Sequence, residues 1–322
     1  MNAGKRHAHV PRTRSLRGEP SSGTNRNPYC VTPQFKARLT WAELHDLEVL
    51  RCEEDLPRVA YVCLGPHLSF VTFSTGSGPV PVWDGTDLRS GEIVFHGRGE
   101  RLHQPTSGSF VWNVIALDPL QLEKYGRALS GKPFSLPSEG KILRPSPRNV
   151  ARLRRLHTQV CRLAETKPRL LAHTEVARAI EQGLIETLVG CLTATKMRAD
   201  DPTKRRHASI MKRFEEVLAE HLSEPLHTTE LCELIGVTER TLRSCCAEFL
   251  SMSPVRYVLL RRLSRARVVL RDAASDGANL LELVRGLGFA ELGLFEAAYG
   301  ATFGETPLTT LQRAPGVRFI NP

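Results

Sequence analysis

Five hydroxyl or guanidinium side chains crowd into seven positions: Thr238, Arg240, Thr241, Arg243 and Ser244. On a helix, steps of three and four put Arg240, Arg243 and Ser244 on one face and Leu242 on the other. A guanidinium offered from the first turns of such a helix can donate two parallel hydrogen bonds to guanine O6 and N7. Such a pair is worth about 1–3 kcal/mol of discrimination between bases. Thr238 stands where an N-cap is needed, its hydroxyl able to accept from backbone N–H groups that lack a helical partner. Thr241 adds a second hydroxyl at the same end, where free N–H groups also suit a phosphate. The alternative for either arginine is an ion pair along the helix surface with Glu239 or Glu248.

That helix has to be held out from the protein. Residues 228–243 read as a short apolar helix, a turn at Gly236, an apolar Val237 and a second helix. Residues 280–295 repeat the plan with Gly288 and Phe289. A short helix cannot bury its apolar side alone. Each pair must pack across its turn, leaving the outer face of the second helix free to enter a major groove. A preceding helix carries Ile210, Phe214, Val217, Leu218 and Leu222 as its support face and stops at Pro225. Between the two units, Pro254 opens a helix of about 18 residues, about 27 Å long. It holds Arg256, Arg261, Arg262, Arg265, Arg267 and Arg271 with no acid among them. The length suits two reading heads in successive major-groove segments. Arg262 is the expected phosphate contact, with Arg265 and Arg267 divided between phosphate and acids of the two heads; phosphate contacts position the protein without reading sequence. The second reading helix, residues 291–299, contains Glu291 and Glu296 and no Lys or Arg. Little base readout is expected from it beyond Glu296 accepting from cytosine N4.

Further residues fall into a recognisable order. Thr238, Arg240, Thr241 and Leu242 are followed by Met252, Ser253 and Pro254. The connecting helix contains Tyr257 and then Arg262, Leu263, Arg265, Ala266 and Arg267. The second unit closes with Phe289, Phe295, Phe303, Gly304 and Pro307. In these motifs the last third of the chain resembles the AraC/XylS family of transcription regulators. The resemblance implies sequence-specific binding of double-stranded DNA and a cytoplasmic homodimer. It also implies a small-molecule effector sensed by an N-terminal domain, and RNA polymerase as a further partner. Trp83, Gly85, Leu88 and Gly91 form a motif similar to the cupin-like sensor half of such proteins, in the ethanolamine-operon regulator-like branch. The second head departs from the family pattern: Gly293 stands where Ser is usual, and Ala297, Gly300 and Ala301 occupy positions often polar or basic.

The expected fold is α+β: an N-terminal cupin-like β-barrel with a helical dimerisation segment, then an all-α domain of two helix-turn-helix units on a linker helix. Residues 1–29 are rich in Arg, Ser, Gly and Pro and are expected to be a disordered basic tail. Residues 30–193 form the sensor and dimerisation domain, 194–206 a linker, 207–314 the DNA-binding domain and 315–322 a tail. Residues 59–64, 68–73, 80–83, 92–95 and 110–115 read as strands, with Asp84-Gly85 as a tight hairpin. Val150, Leu153, Leu156, Val160 and Leu163 form one helical stripe; Val176, Ile180, Leu184, Leu188 and Cys191 form another. These stripes serve either the protein's own barrel or a dimer seam. Trp83, Phe95, Phe110 and Trp112 either wall a sensor pocket or fill the core.

The chain carries a net charge of +10. Between 201 and 314, however, 15 Lys/Arg balance 15 Asp/Glu, so clustering rather than bulk charge marks the DNA-binding end. No apolar run is long enough for a membrane span. Lys5, Arg6, Arg12 and Arg14 precede no apolar segment, so no secretory signal is expected. The eight cysteines lack Cys-x-x-Cys spacing, which suits a reducing compartment. Adjacent Cys245 and Cys246 read as buried thiols or as a redox switch. His67, His96, Glu100 and His103 lack the His-x-His pair of a metal-binding cupin. No nucleophile elbow or phosphate-binding loop is present. No catalytic residue, metal or cofactor is therefore expected. Two other readings share these residues: a metal-dependent cupin enzyme with an appended DNA-binding domain, and a protein-interaction adaptor whose helix-turn-helix no longer binds DNA.

Overall fold

The computed structural model describes residues 36–74, 79–193, 196–198, 201–221, 226–273 and 279–312, and the backbone of 12–17 and 27–30. The N-terminal half is built from β1 (Arg12–Arg17), β2 (Asn27–Cys30), β3 (Lys36–Glu43), β4 (Leu47–Glu54), β5 (Arg58–Cys63), β6 (Ser69–Phe73), β7 (Val82–Trp83), β8 (Thr86–Asp87), β9 (Ile93–His96), β10 (Arg101–Thr106) and β11 (Phe110–Leu117). Helix α1 (Pro119–Ser130), β12 (Lys141–Arg144), α2 (Pro147–Thr166), α3 (Pro168–Leu171), α4 (Thr174–Thr193) and β13 (Lys196–Met197) follow. The strands make an eight-stranded sheet in the order β1-β3-β4-β11-β6-β9-β12-β13, a three-stranded sheet β10-β5-β2, and the β7–β8 hairpin. The expected barrel is therefore not closed: two open antiparallel sheets take its place.

Strand β11 shows why the alternating pattern is weak in the sequence. It lies between β4 and β6, and both its faces are covered. Ile115 and Leu117 join Val49, Val71, Ile93 and Phe95 in the core under α1, α2 and α4. Val114 and Ala116 face the other way, against Phe70 and Leu64. The two helical stripes are buried in the first of these cores: Leu153, Val160, Leu184 and Leu188 pack on the protein's own sheet. Leu156, Leu163 and Ile180 of the stripes are partly buried against this core, and Val176 stays exposed. Two further corrections concern boundaries. Residues 12–17, expected in a disordered tail, pair antiparallel with β3; backbone ladder bonds at a sheet edge do not require apolar side chains. The expected linker is shorter, because β13 pairs with β12 and the next helix begins at Pro202, capped by Asp201. Leu222 and Pro225 lie outside the described residues, as do residues 315–322.

His157 on α2 is fully buried, with its Nε2 donating to the Leu50 carbonyl at 2.9 Å. Burial depresses its pKa from 6.5 to about 4. The unfolded chain therefore binds a proton that the folded chain refuses, and stability is lost as pH falls from about 6.5 towards 4. The shift corresponds to about 3 kcal/mol. Urea unfolding of His157→Gln should show a pH profile shallower than wild type by that amount over this window, and equal slopes would contradict it.

The C-terminal half contains α5 (Pro202–Glu220), α6 (Thr228–Ile235), α7 (Glu239–Leu250), α8 (Pro254–Asp272), α9 (Leu280–Gly286), α10 (Leu292–Phe303) and α11 (Pro307–Gln312). Helix α8 serves two cores. Its Tyr257 and Leu260 pack with Phe214, Leu231, Leu242 and Phe249 around the first helix pair. Its Leu263, Ala266 and Leu270 pack with Val284, Phe295, Tyr299 and Phe303 around the second. One straight element thus sets the separation of α7 and α10.

Candidate nucleic-acid interface

The turn before α7 is made by Gly236, whose φ of 78° is in the left-handed region that glycine enters without a Cβ penalty. Its N–H donates to the Cys232 carbonyl at 2.9 Å and closes α6. Two residues on, Thr238 Oγ1 accepts from the Thr241 N–H at 3.2 Å and caps α7. The hydroxyls of Thr238 and Thr241 lie 2.9 Å apart, so this pair organises the helix start. Leu242, Cys245, Cys246 and Phe249 face inward, while Arg240, Arg243 and Ser244 are exposed on the opposite side. Arg243 forms an ion pair with Glu239 at 2.5 Å, with the two side chains 67% and 51% exposed. Such a solvated pair contributes about 0–1 kcal/mol. It is weak enough to exchange for a guanine edge.

The Cys245 and Cys246 thiols are pushed up to about 11 and about 12, with burial as the main cause. They stay protonated at neutral pH and are poor nucleophiles.

Arginines of α8 also serve the protein's own packing. Arg262 donates to the carbonyls of Gly288 at 2.5 Å and Leu287 at 3.3 Å, and its guanidinium stacks 4.3 Å over the Phe289 ring. These contacts give Arg262 a role besides the expected phosphate contact: the residue clamps the turn of the second head onto the connecting helix. Arg267 pairs with Glu305 at 2.8 Å and stacks on Phe303. Sequence spacing could show the cluster but not its direction, because the carbonyls it meets lie some 25 residues along the chain. Replacing Arg262 by alanine should destabilise the domain by about 1–3 kcal/mol. The slope of DNA affinity against salt should stay at its wild-type value. A fall of about one in that slope would mean that the residue holds a phosphate after all.

The second head repeats the frame of the first with different chemistry. Glu291 occupies the N-cap of α10 but makes no side-chain capping bond. Four residues separate each N-cap from its buried pivot, Thr238 to Leu242 and Glu291 to Phe295. Gly293, Glu296 and Ala297 therefore stand where the first head has Arg240, Arg243 and Ser244. All three are exposed, and Leu294 beside them is 67% exposed. Glu291 and Glu296 are also exposed, so the predicted acidic reading face is present without a cation on α10.

The four aromatics expected to wall a pocket do not meet. Phe95 lies in the core beneath the helices. Phe110 and Trp112 pack together beside Cys52, and Trp112 Nε1 donates to Glu54 at 3.3 Å. Trp83 borders two other clusters near Leu102 and Leu88. The candidate metal ligands also diverge. His96 pairs with Glu100 at 3.2 Å, whereas His103 points at Glu215 of α5. Among the described residues no group of three or more such side chains converges on one point.

Sequence reading missed the ties that hold α6 and α9. Arg213 donates twice to the Leu234 carbonyl at 3.1 Å, and Asn279 caps α9 through the Leu281 N–H at 3.0 Å. The Asn279 signal was available as a capping residue before an apolar run. Arg213 offered no local signal.

Residues 231–313 match the family described as "Helix-turn-helix domain". The probable thc operon regulatory protein of Rhodococcus erythropolis is 27% identical over 147 residues, 45% of this chain and 42% of that protein. The XylDLEGF operon transcriptional activator of Pseudomonas putida is 28% identical over 102 residues, 32% of each chain. The matched stretch thus spans less than half the length of these relatives. A probable AraC family transcriptional regulator from Rhodopseudomonas palustris overlays at a TM-score of 0.31 with 26% identity, covering 33% of this chain and 98% of that one. That score is too low for the overlay to bear on fold or function. On its family match and its paired helices, the stretch 231–313 is a helix-turn-helix domain, similar in sequence to those of operon regulators.

Proposed function

We propose that the chain is a sequence-specific DNA-binding regulator of transcription, with the first head as its main reader. The supporting observation is the exposed face of α7, where Arg240, Arg243 and Ser244 project from a capped helix whose other face is buried. Guanine O6 and N7 are the acceptors that such a face fits best. Glu296 supplies an acceptor for cytosine N4 under the second head. The N-terminal domain acts as the sensor of a small molecule. Two copies on paired half-sites and contact with RNA polymerase belong to the same reading, as does a cytoplasmic location. So does descent from the ethanolamine-operon regulator-like branch. Among the described residues no helix is long and apolar enough to cross a membrane.

The experiment is selection of bound sites from random duplexes by the full chain, followed by affinity across a salt series. A preferred sequence and a steep loss of affinity with rising salt are expected. Equal affinity for every duplex would refute the reading. One observation favours a second reading, in which α10 docks a protein: its exposed face is apolar and acidic. Retention of an unrelated duplex by the first head alone would not support it, but specific loss of partner binding in Leu294→Asp would.

A further inference from the structure

The first head is not packed by its own residues alone. Val59 of β5 lies in the same core as Phe214, Leu242 and Phe249, and Tyr61 packs against it. The Asp84-Gly85 hairpin presses on the inner end of α7: a Cβ added at Gly85 would come within 2.8 Å of the Phe249 ring and 3.1 Å of Glu248. Lys204 Nζ of α5 reaches back to the Gly85 carbonyl at 3.0 Å. None of these contacts covers Arg240, Arg243 or Ser244, which remain exposed.

At the centre lies a buried polar cluster shared between the two halves of the chain. Glu215 of α5 accepts from His103 Nε2 of β10 at 2.8 Å. It also accepts from the Tyr257 hydroxyl and the Arg261 guanidinium, both on α8. His103 Nε2 is 3.3 Å from the Tyr257 hydroxyl, and its ring lies 5.0 Å from that of Tyr61. Burial alone would raise the Glu215 carboxyl; the His103 hydrogen bond and the Arg261 charge hold it below its ordinary value instead. A carboxylate taken out of water is tolerated only while its hydrogen bonds are complete. Two of these donors sit on α8 and one on the N-terminal domain. Removing any of them leaves a buried charge short of a partner where side chains of α5 and α8 meet.

We propose that His103 is a positioning residue for the first reading head: through Glu215 it fixes how α5 is tied to α8, and so the aim of α7, which packs on α5. The proposal rests on the DNA-reading function given above.

The test uses the full chain and its selected duplex. His103→Leu keeps bulk and removes the donor; His103→Gln keeps an N–H donor. The Leu variant should lose about tenfold in affinity for the selected duplex, the equivalent of one hydrogen bond to a charged group. The Gln variant should stay within about threefold of wild type, a rescue that a purely space-filling role would not give. Wild-type affinity in His103→Leu, or equal losses in the two variants, would overturn the proposal. Tyr257→Phe guards against misfolding of the Leu variant, because it removes a second Glu215 donor from α8 while keeping the ring in the core. It should weaken binding in the same direction, and unchanged affinity there would also overturn the proposal. If wild-type protein shows no preferred duplex, the function has failed rather than this inference.

Discussion

Replacing Arg243 by alanine should lower affinity for the selected duplex by about 10- to 100-fold and relax preference at one guanine, with the fold unchanged. The fold should survive because the side chain is 67% exposed and its one ion pair, with Glu239, is solvated. The loss should be large because a bidentate pair with guanine leaves unmet acceptors in the groove when it is removed. Arg240→Ala should act at a neighbouring base by a similar amount. Glu296→Ala, at the matching position of the second head, should change affinity by less than about threefold, since its loss removes one acceptor and also one repulsion of phosphate. Titrations of the three variants against the same duplex decide the order. A loss at Glu296 equal to that at Arg243 would assign the reading to both heads.

Phe214→Ala should destabilise the protein by about 3–5 kcal/mol. Phe214 is fully buried on α5, 5.9 Å from the Tyr257 ring, and belongs to the core behind α7. Nothing nearby can collapse into the space without moving Leu242 or Phe249, both fully buried. Denaturant unfolding monitored by circular dichroism measures the cost; a change below about 1 kcal/mol would mean that the core refills. The two variants separate two ways of losing DNA binding. Arg243→Ala loses contact from an intact head, and Phe214→Ala loses the head.

The residues legible in the sequence were those governed by local rules. Gly236 at the turn, Thr238 at the cap and Leu242 as the inward pivot follow from helix geometry within a few residues. The outward face of α7 follows from the same periodicity. The Arg262 clamp was not legible because its partners, the Leu287 and Gly288 carbonyls, come from the next helix pair, and periodicity carries no such information. Trp83, Phe95, Phe110 and Trp112 could be pocket walls or core on the sequence alone; Phe95 faces one side of the eight-stranded sheet, Phe110 and Trp112 the other, and Trp83 lies on the β7–β8 hairpin, a placement that alternation does not reveal. The open sheets replaced the expected barrel because closure depends on strand order, which hairpin signals do not specify. Glu215 is the clearest omission. It carries no local signal, and only tertiary structure brings His103, Tyr257 and Arg261 to it.

The central claim is that the guanidinium face of α7 reads guanine. It is tested most directly by binding wild type and Arg243→Ala to the selected duplex and to a copy carrying 7-deazaguanine under the first head. That base pairs normally but lacks the N7 acceptor. Wild type should lose about tenfold on the modified duplex, and Arg243→Ala should bind both duplexes alike. Equal wild-type affinity for the two duplexes at every guanine tested would contradict the account.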